Sequence, residues 1–104
     1  MAKLNVIWTR TADIQFVGIL EYWVNRNKSN KYALKLLELV TDRTTQISEN
    51  PELFKATDFP NIRAASLGNY SIYYKTTESE IIISAIWDNR QNPKKLLDLL
   101  QDRK

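Results

Sequence analysis

Apolar and polar positions change rhythm along this chain, and each change marks an element. From Lys3 to Thr9 the apolar residues Leu4, Val6 and Trp8 fall at every second position, with Asn5 and Ile7 alternating between them. That period predicts a short strand with one apolar face. Beyond Thr11 the spacing lengthens. Phe16, Ile19, Leu20 and Trp23 lie at i, i+3, i+4 and i+7, which predicts a helix with one apolar stripe, fading near Asn25 to Lys28. Ser29 or Asn30 is positioned to cap a second helix, whose buried stripe is expected to be Ala33, Leu36, Leu37, Val40, Thr44 and Ile47. Asn50-Pro51 ends it, because proline biases the residue before it away from helical backbone. Joined by a short polar loop, the two helices form a helical hairpin, and a sheet is the natural partner for both stripes. Burying a large apolar side chain contributes about 1.5–3 kcal/mol, so these stripes should dominate stability.

Glu52 to Pro60 reads as a connector that Leu53, Phe54 and Phe59 pin to the body. Asn61 to Pro93 then carries three short strands in a row: Ile62 to Leu67, Tyr70 to Lys75 and Ile81 to Asp88. Gly68-Asn69 closes the first hairpin, since glycine reaches positive φ without strain, and Thr76 to Glu80 is the next polar turn. A turn at Gly68-Asn69 pairs Leu67 with Tyr70, Ala65 with Ile72 and Arg63 with Tyr74, placing all six on one face. Plain alternation in the third strand sets Ile81, Ile83, Ala85 and Trp87 against Ile82, Ser84, Ile86 and Asp88. Neither face is cleanly polar, which argues against a sheet with one side in water. A last helix from Pro93 to Asp102, capped by Asn92, carries Leu96, Leu97, Leu99 and Leu100. That helix or a partner is left to cover the second face. The order β-α-α-β-β-β-α describes an α+β fold, an antiparallel sheet packed on a helical hairpin, expected as a single domain over residues 1–104.

Composition narrows the chemistry. Cys and His both number 0. Disulfides, thiol nucleophiles, Cys/His metal centres and a Ser-His-Asp triad are therefore excluded. Catalysis has only Arg, Lys, Tyr, Asp, Glu, Ser or Thr to draw on, and no metal or other cofactor is expected. A formal net charge of +3 mildly favours an anionic partner. No apolar run approaches the roughly 20 residues that span a bilayer, and the start MAKLNVIWTR lacks the pattern of a secretory leader. A cytoplasmic protein with no membrane partner is expected.

Where the third strand stops, Asp88, Asn89, Arg90, Gln91 and Asn92 gather polar side chains, and a sheet ending in such a cluster is a candidate site. The plainer reading is an Asp88–Arg90 salt bridge that shapes the turn, with Asn92 only capping the helix. Tyr70, Tyr73 and Tyr74 fit sheet core, since strands favour aromatics, and Lys94 and Lys95 fit a solvated helix start. Residues 30–102 also run α-β-β-β-α, the order of a double-stranded RNA-binding domain, with Lys94-Lys95 placed to meet phosphates. A non-catalytic interaction module, taking a partner's strand or helix at an open edge or groove, is a further alternative.

Four stretches, in order and spanning nearly the whole chain, resemble the RelE/ParE family of type II toxins. WTRTADIQFVGILEYW resembles that family's first strand running into its first helix, and NPELF the end of the second helix. IRAASLGNYSIYYK resembles its hairpin, with an Arg on one strand and spaced tyrosines on the other, and IWDNRQNPKKL the terminal strand of one branch. The resemblance implies the small RelE/ParE-like fold, a growth-arresting toxin, and a cognate antitoxin protein whose extended or helical segment wraps it. It also implies one of two targets. ParE-like members poison DNA gyrase; RelE-like members enter the ribosome and cut mRNA.

For the second target, metal-free RNA cleavage needs a group to take the 2′-OH proton, a cation at the phosphate, and an acid for the leaving oxygen. Arg63 resembles a phosphate-contacting Arg of RelE-like members, and Arg90 the Arg after their last strand; these are the catalytic candidates. Tyr74, Trp87, Asp88, Lys94 and Lys95 are candidates for target or antitoxin contact. Two positions depart from the nuclease pattern. Ser71 stands where a basic residue is common, and QNPKKLLDLL lacks the C-terminal Tyr. A gyrase poison needs only a binding surface. The expected activity is gyrase poisoning, with ribosome-dependent mRNA cleavage through Arg63 and Arg90 as the alternative, and whether the chain is an enzyme stays open.

Overall fold

One residue, Thr9, separates the first strand from the first helix. In the computed structural model, which describes residues 4–91 and 94–96, strand β1 spans Asn5–Trp8 and helix α1 spans Arg10–Asn27. The Thr9 hydroxyl oxygen accepts a hydrogen bond from the Ala12 N–H at 3.1 Å, so the helix starts on a side-chain cap. Lys28 ends α1 in the left-handed region (φ 52°). Helix α2 spans Lys31–Glu49. Asn30 holds its N-cap position, but the neighbouring Ser29 hydroxyl accepts the Lys31 N–H at 3.2 Å, so the two expected cap residues share the task. The Asn50 N–H closes the last turn on the Gln46 carbonyl at 3.0 Å, and Pro51 follows.

Four more strands complete the sheet: β2 (Lys55–Ala56), β3 (Arg63–Leu67), β4 (Tyr70–Thr76) and β5 (Glu80–Asp88). Their order is β1-β5-β4-β3-β2. The β3–β4 register is the one the turn dictates, with Leu67 opposite Tyr70, Ala65 opposite Ile72 and Arg63 opposite Tyr74. Gly68 adopts φ +61°, where a side chain is strained. Two pairings lie outside the expected antiparallel meander. β2 is a short edge strand inside the connector, antiparallel to β3. β1 runs parallel to β5, with Asn5 opposite Glu80 and Trp8 opposite Ile83. No hairpin ties β1 to its neighbour, so its direction follows from where the helices carry the chain away.

The third predicted strand needs a correction. Tyr73 pairs with Ala85 and Tyr74 with Ile83, leaving Ser84 as an extra residue on β5. This β-bulge inverts the alternation beyond it. Ile86 and Asp88 join Ile81 and Ile83 on the helix-facing side, while Ala85 and Trp87 turn to the other. The larger core lies between sheet and hairpin, where Phe16, Leu36, Val40 and Ile47 meet Ile72, Tyr74, Ile81, Ile83 and Ile86. A smaller core on the far side joins Ile62, Ala85 and Trp87 to Leu96, with Phe59 and Tyr73 against it. Residues 94–96 are helical. Thus the last helix does cover part of the second face, while Asn92, Pro93, Leu97, Leu99 and Leu100 lie outside the described residues.

Two apolar expectations also change. Leu37 is 42% exposed, because it sits about 100° round the helix from buried Leu36 and beyond the reach of the sheet. Leu53 is exposed as well, leaving Phe54 and Phe59 to hold the connector. Leu36→Ala should therefore cost about 2–5 kcal/mol in urea unfolding through the cavity it opens, whereas Leu37→Ala should cost about 0.5 kcal/mol.

Candidate functional site

The bulge aims Asp88, the last residue of β5, into a cleft between the sheet end and α1. Register places Asp88 opposite Tyr70 on that same side. Beyond Asp88 the chain turns sharply. The Asn89 N–H donates to the Asn69 carbonyl at 2.8 Å, the Ser71 hydroxyl to Asn89 Oδ1 at 3.0 Å, and the Gln91 N–H to the Asp88 carbonyl at 2.9 Å. The Asp88 carboxylate binds Arg90 three times, through its N–H, Nε and Nη2, each at 2.9 Å. Asp88 is 17% exposed and Arg90 53%, so the pair is anchored at its acid and open at its base. The Arg90 guanidinium holds the Asp88 carboxyl below its ordinary range, against the opposing effect of burial.

Across the cleft, α1 supplies Gln15, Gly18, Ile19 and Tyr22, and the enclosed volume is about 440 Å³. Trp23 Nε1 donates to the Tyr70 hydroxyl at 2.8 Å. Burial pushes the Tyr70 phenol up, with the Trp23 bond acting against it. Gln15 Oε1 accepts from the Ile86 N–H at 3.0 Å, and the Thr9 hydroxyl donates to the Ser84 carbonyl at 3.4 Å. Two side chains from the start of α1 thus serve the strand that β1 no longer covers.

Arg63 lies elsewhere. Its Nη1 donates to the Phe54 carbonyl at 2.7 Å, and the neighbouring Tyr74 hydroxyl donates to the Pro51 carbonyl at 2.6 Å. Both fasten the connector to the sheet. Burial pushes the Tyr74 phenol up, with Arg63 opposing. Arg63 borders a different cleft of about 420 Å³, with Pro51, Thr57 and Asn61. Arg63 pairs with Tyr74 and Asp88 with Tyr70; four residue steps along β4 separate the two ends, about 13 Å of strand. The two candidate arginines are not brought together.

Other predicted contact residues divide by exposure. Tyr74 is 0% exposed and Trp87 9%, so both are built into the cores, not offered at the surface. Trp87 Nε1 is buried without a hydrogen-bond partner among the described residues. Lys94 and Lys95 are exposed at the start of the last helix. Sequence reasoning missed Gln15, Tyr22 and the Trp23–Tyr70 bond; a glutamine at the edge of an apolar stripe carries no local mark that it will reach a strand far along the chain. Among the described residues, no group of His, Cys, Asp or Glu could hold a metal ion, and no helix is long and apolar enough to cross a membrane.

Residues 6–93 match the family model described as ParE toxin of type II toxin-antitoxin system, parDE. The chain belongs to the ParE toxin family. A solved structure titled as the chromosomal ParDE TA system from P. aeruginosa shares its fold, with a TM-score of 0.69 at 20% sequence identity, covering 81% of this chain and 94% of that one. No curated protein sequence matches. A ParE-family toxin has an antitoxin as its partner. The fold also disposes of the double-stranded RNA-binding alternative, because β1 and α1, surplus in that arrangement, are integral to this ParE toxin's sheet and main core.

Two outcomes follow for the arginines of this ParE toxin. An NMR titration should place the Asp88 midpoint below that of an ordinary carboxylate, and Arg90→Gln should raise it. Because the folded value is depressed, the pair's contribution is complete above the unfolded value and is lost as pH falls through the folded one; the acid limb of the stability profile should flatten in the variant. Arg63→Ala should lower stability by about 1.5–3 kcal/mol in urea unfolding, since it leaves the Phe54 carbonyl without its charged donor.

Proposed function

We propose that this ParE-family toxin arrests growth by poisoning DNA gyrase, and that it does so by binding and not by catalysis. The observation that carries the reading is the separation of Arg63 from Arg90. Metal-free RNA cleavage needs base, cation and acid to converge on one phosphate. Here one guanidinium is committed to the Phe54 carbonyl at one end of the sheet and the other to Asp88 at the opposite end. The tyrosine beside each is likewise occupied: Tyr74 with the Pro51 carbonyl, Tyr70 with the Trp23 indole. A gyrase poison needs none of this convergence. It needs surface, and the open side of Arg90 and the cleft beside it supply that at one end of the sheet. Gyrase acts on DNA in the cytoplasm, and that is where this toxin and its antitoxin meet.

Induced expression in a bacterial host, followed by mRNA cleavage mapping and a supercoiling assay with purified gyrase, tests the reading. Growth arrest with intact mRNA, inhibited supercoiling and gyrase-linked DNA breaks is the expected result. Codon-phased mRNA cuts with normal supercoiling would replace it with ribosome-dependent cleavage. Arg90→Ala should weaken gyrase inhibition by about tenfold, the loss of roughly one charged contact, while Arg63→Ala should alter stability before it alters inhibition.

A further inference from the structure

Gly18 lies in the middle of α1, where a glycine destabilises a helix relative to alanine. Nothing inside the molecule calls for it. Its backbone is not left-handed, and α1 runs through it unbroken. A Cβ built at Gly18 would meet no atom within 4 Å, so no neighbouring element needs the room. The room belongs to the cleft. Gln15, Gly18, Ile19 and Tyr22, at i, i+3, i+4 and i+7, form the wall that α1 turns toward Asp88 and Arg90, and Gly18 is the gap in that wall.

The polar groups around the gap are mostly donors still to be used. The Asp88 carboxylate is spent on Arg90, and the Gln15 amide oxygen on the Ile86 N–H. Gln15 Nε2, the Tyr22 hydroxyl and Arg90 Nη1 border the cleft and find no acceptor among the described residues. Tyr70 adds a buried donor. It is 4% exposed, its oxygen accepts from Trp23, and its own hydroxyl hydrogen has no acceptor among the described residues. Gln91, exposed at the rim, can serve either way. Such a site takes a ligand rich in acceptors. A nucleic acid fits it poorly, because phosphate recognition draws on unpaired cations and the Arg90 charge is balanced by Asp88. A peptide main chain fits it well. Its carbonyls supply acceptors at short intervals, and it can lie closest to a helix where the helix lacks a side chain.

We propose that the cleft seats an extended peptide segment of gyrase, with its main chain across Gly18 and its carbonyls accepting from Arg90, Tyr22, Tyr70 and Gln15. Gly18 sets how close that chain can come, and the apolar walls at Ile19 and Ile86 shield the hydrogen bonds from water. The inference rests on the gyrase reading and names what that site holds.

Binding of the full-length toxin to purified, DNA-free gyrase, measured by interferometry beside the supercoiling assay, tests the assignment. Gly18→Ala should raise the melting temperature by about 4–8 °C, as relief of a helical glycine does, yet weaken gyrase binding by about tenfold. A toxin that is more stable and binds less cannot owe the loss to misfolding. Gly18→Leu should weaken binding by about 100-fold. Tyr22→Phe, which keeps the ring contact with Trp23 and loses one donor, should weaken it by about fivefold. Val17→Leu, which adds bulk to an exposed position of α1 that does not border the cleft, should bind as the wild type does. Wild-type binding in Gly18→Ala and Gly18→Leu would overturn the assignment; if Gly18→Leu does not fold, Gly18→Ala decides alone. Equal loss in Val17→Leu would assign the effect to the helix surface at large and overturn it too, as would binding that requires DNA. A wild-type toxin that neither binds gyrase nor inhibits supercoiling removes the target reading itself, which separates that failure from a wrong choice of occupant.

Discussion

The pairing of β4 with β5 governs the end of the sheet that borders the cleft, and it is out of step by one residue. Ser84 is the extra residue. Without it Asp88 would point away from the helices and Trp87 toward them, and the cleft beside α1 would have neither its acid nor its arginine. A bulge leaves backbone groups without their ladder partners, and buried ones must find others. The first turns of α1 provide them: the Thr9 hydroxyl reaches the Ser84 carbonyl and the Gln15 amide the Ile86 N–H. Cap, bulge and cleft are thus one arrangement, in which the start of the first helix completes the end of the last strand.

Similar side chains serve two ends in this fold. At one end of the sheet Arg63 and Tyr74 reach out to backbone carbonyls of the connector and hold it down. At the other, Arg90 folds back on Asp88 and stays half open, while Tyr70 accepts from an indole. The difference is burial and neighbourhood, not residue type. A guanidinium whose donors are taken by backbone is part of the scaffold; one held along a single edge keeps donors for a partner. An acid-base reading would need the two arginines to meet, which this division does not bring about; a binding reading does not depend on it.

Much of this was legible before the structure. The period of two in Leu4, Val6 and Trp8 and the period of 3.6 in α1 and α2 reflect which side must leave water, and those physics act locally. Gly68-Asn69 also acts locally, and it set the β3–β4 register down to each pair. What was not legible is non-local. The bulge at Ser84 has no composition of its own, because the strand on either side of it is equally apolar. The direction of β1 is decided by a partner far away in sequence. Leu37 carries the same label as Leu36 in any hydrophobic pattern, and only the distance to the sheet tells them apart. The Asp88–Arg90 turn was legible as a salt bridge, since two residues of opposite charge at a strand end have few other places to go. That Arg63 would sit at the far end of the sheet was implicit in the hairpin register, but its bond to the Phe54 carbonyl was not.

The parallel pairing of β1 with β5 joins residues far apart in the chain, Asn5 with Glu80. During synthesis the first strand leaves the ribosome with nothing to pair with, and the hairpin of helices behind it has no sheet to lie on. Long-range pairing of this kind is intrinsically slow, because the loop it closes must be ordered first. Only when β5 has emerged do the sheet and both cores close. A polypeptide released early, short of Asp88, has neither a completed sheet nor the turn that carries Arg90. The topology therefore holds back the closure of the sheet and of both cores until β5 has been made, so the chain ahead of it is a set of parts waiting for one strand.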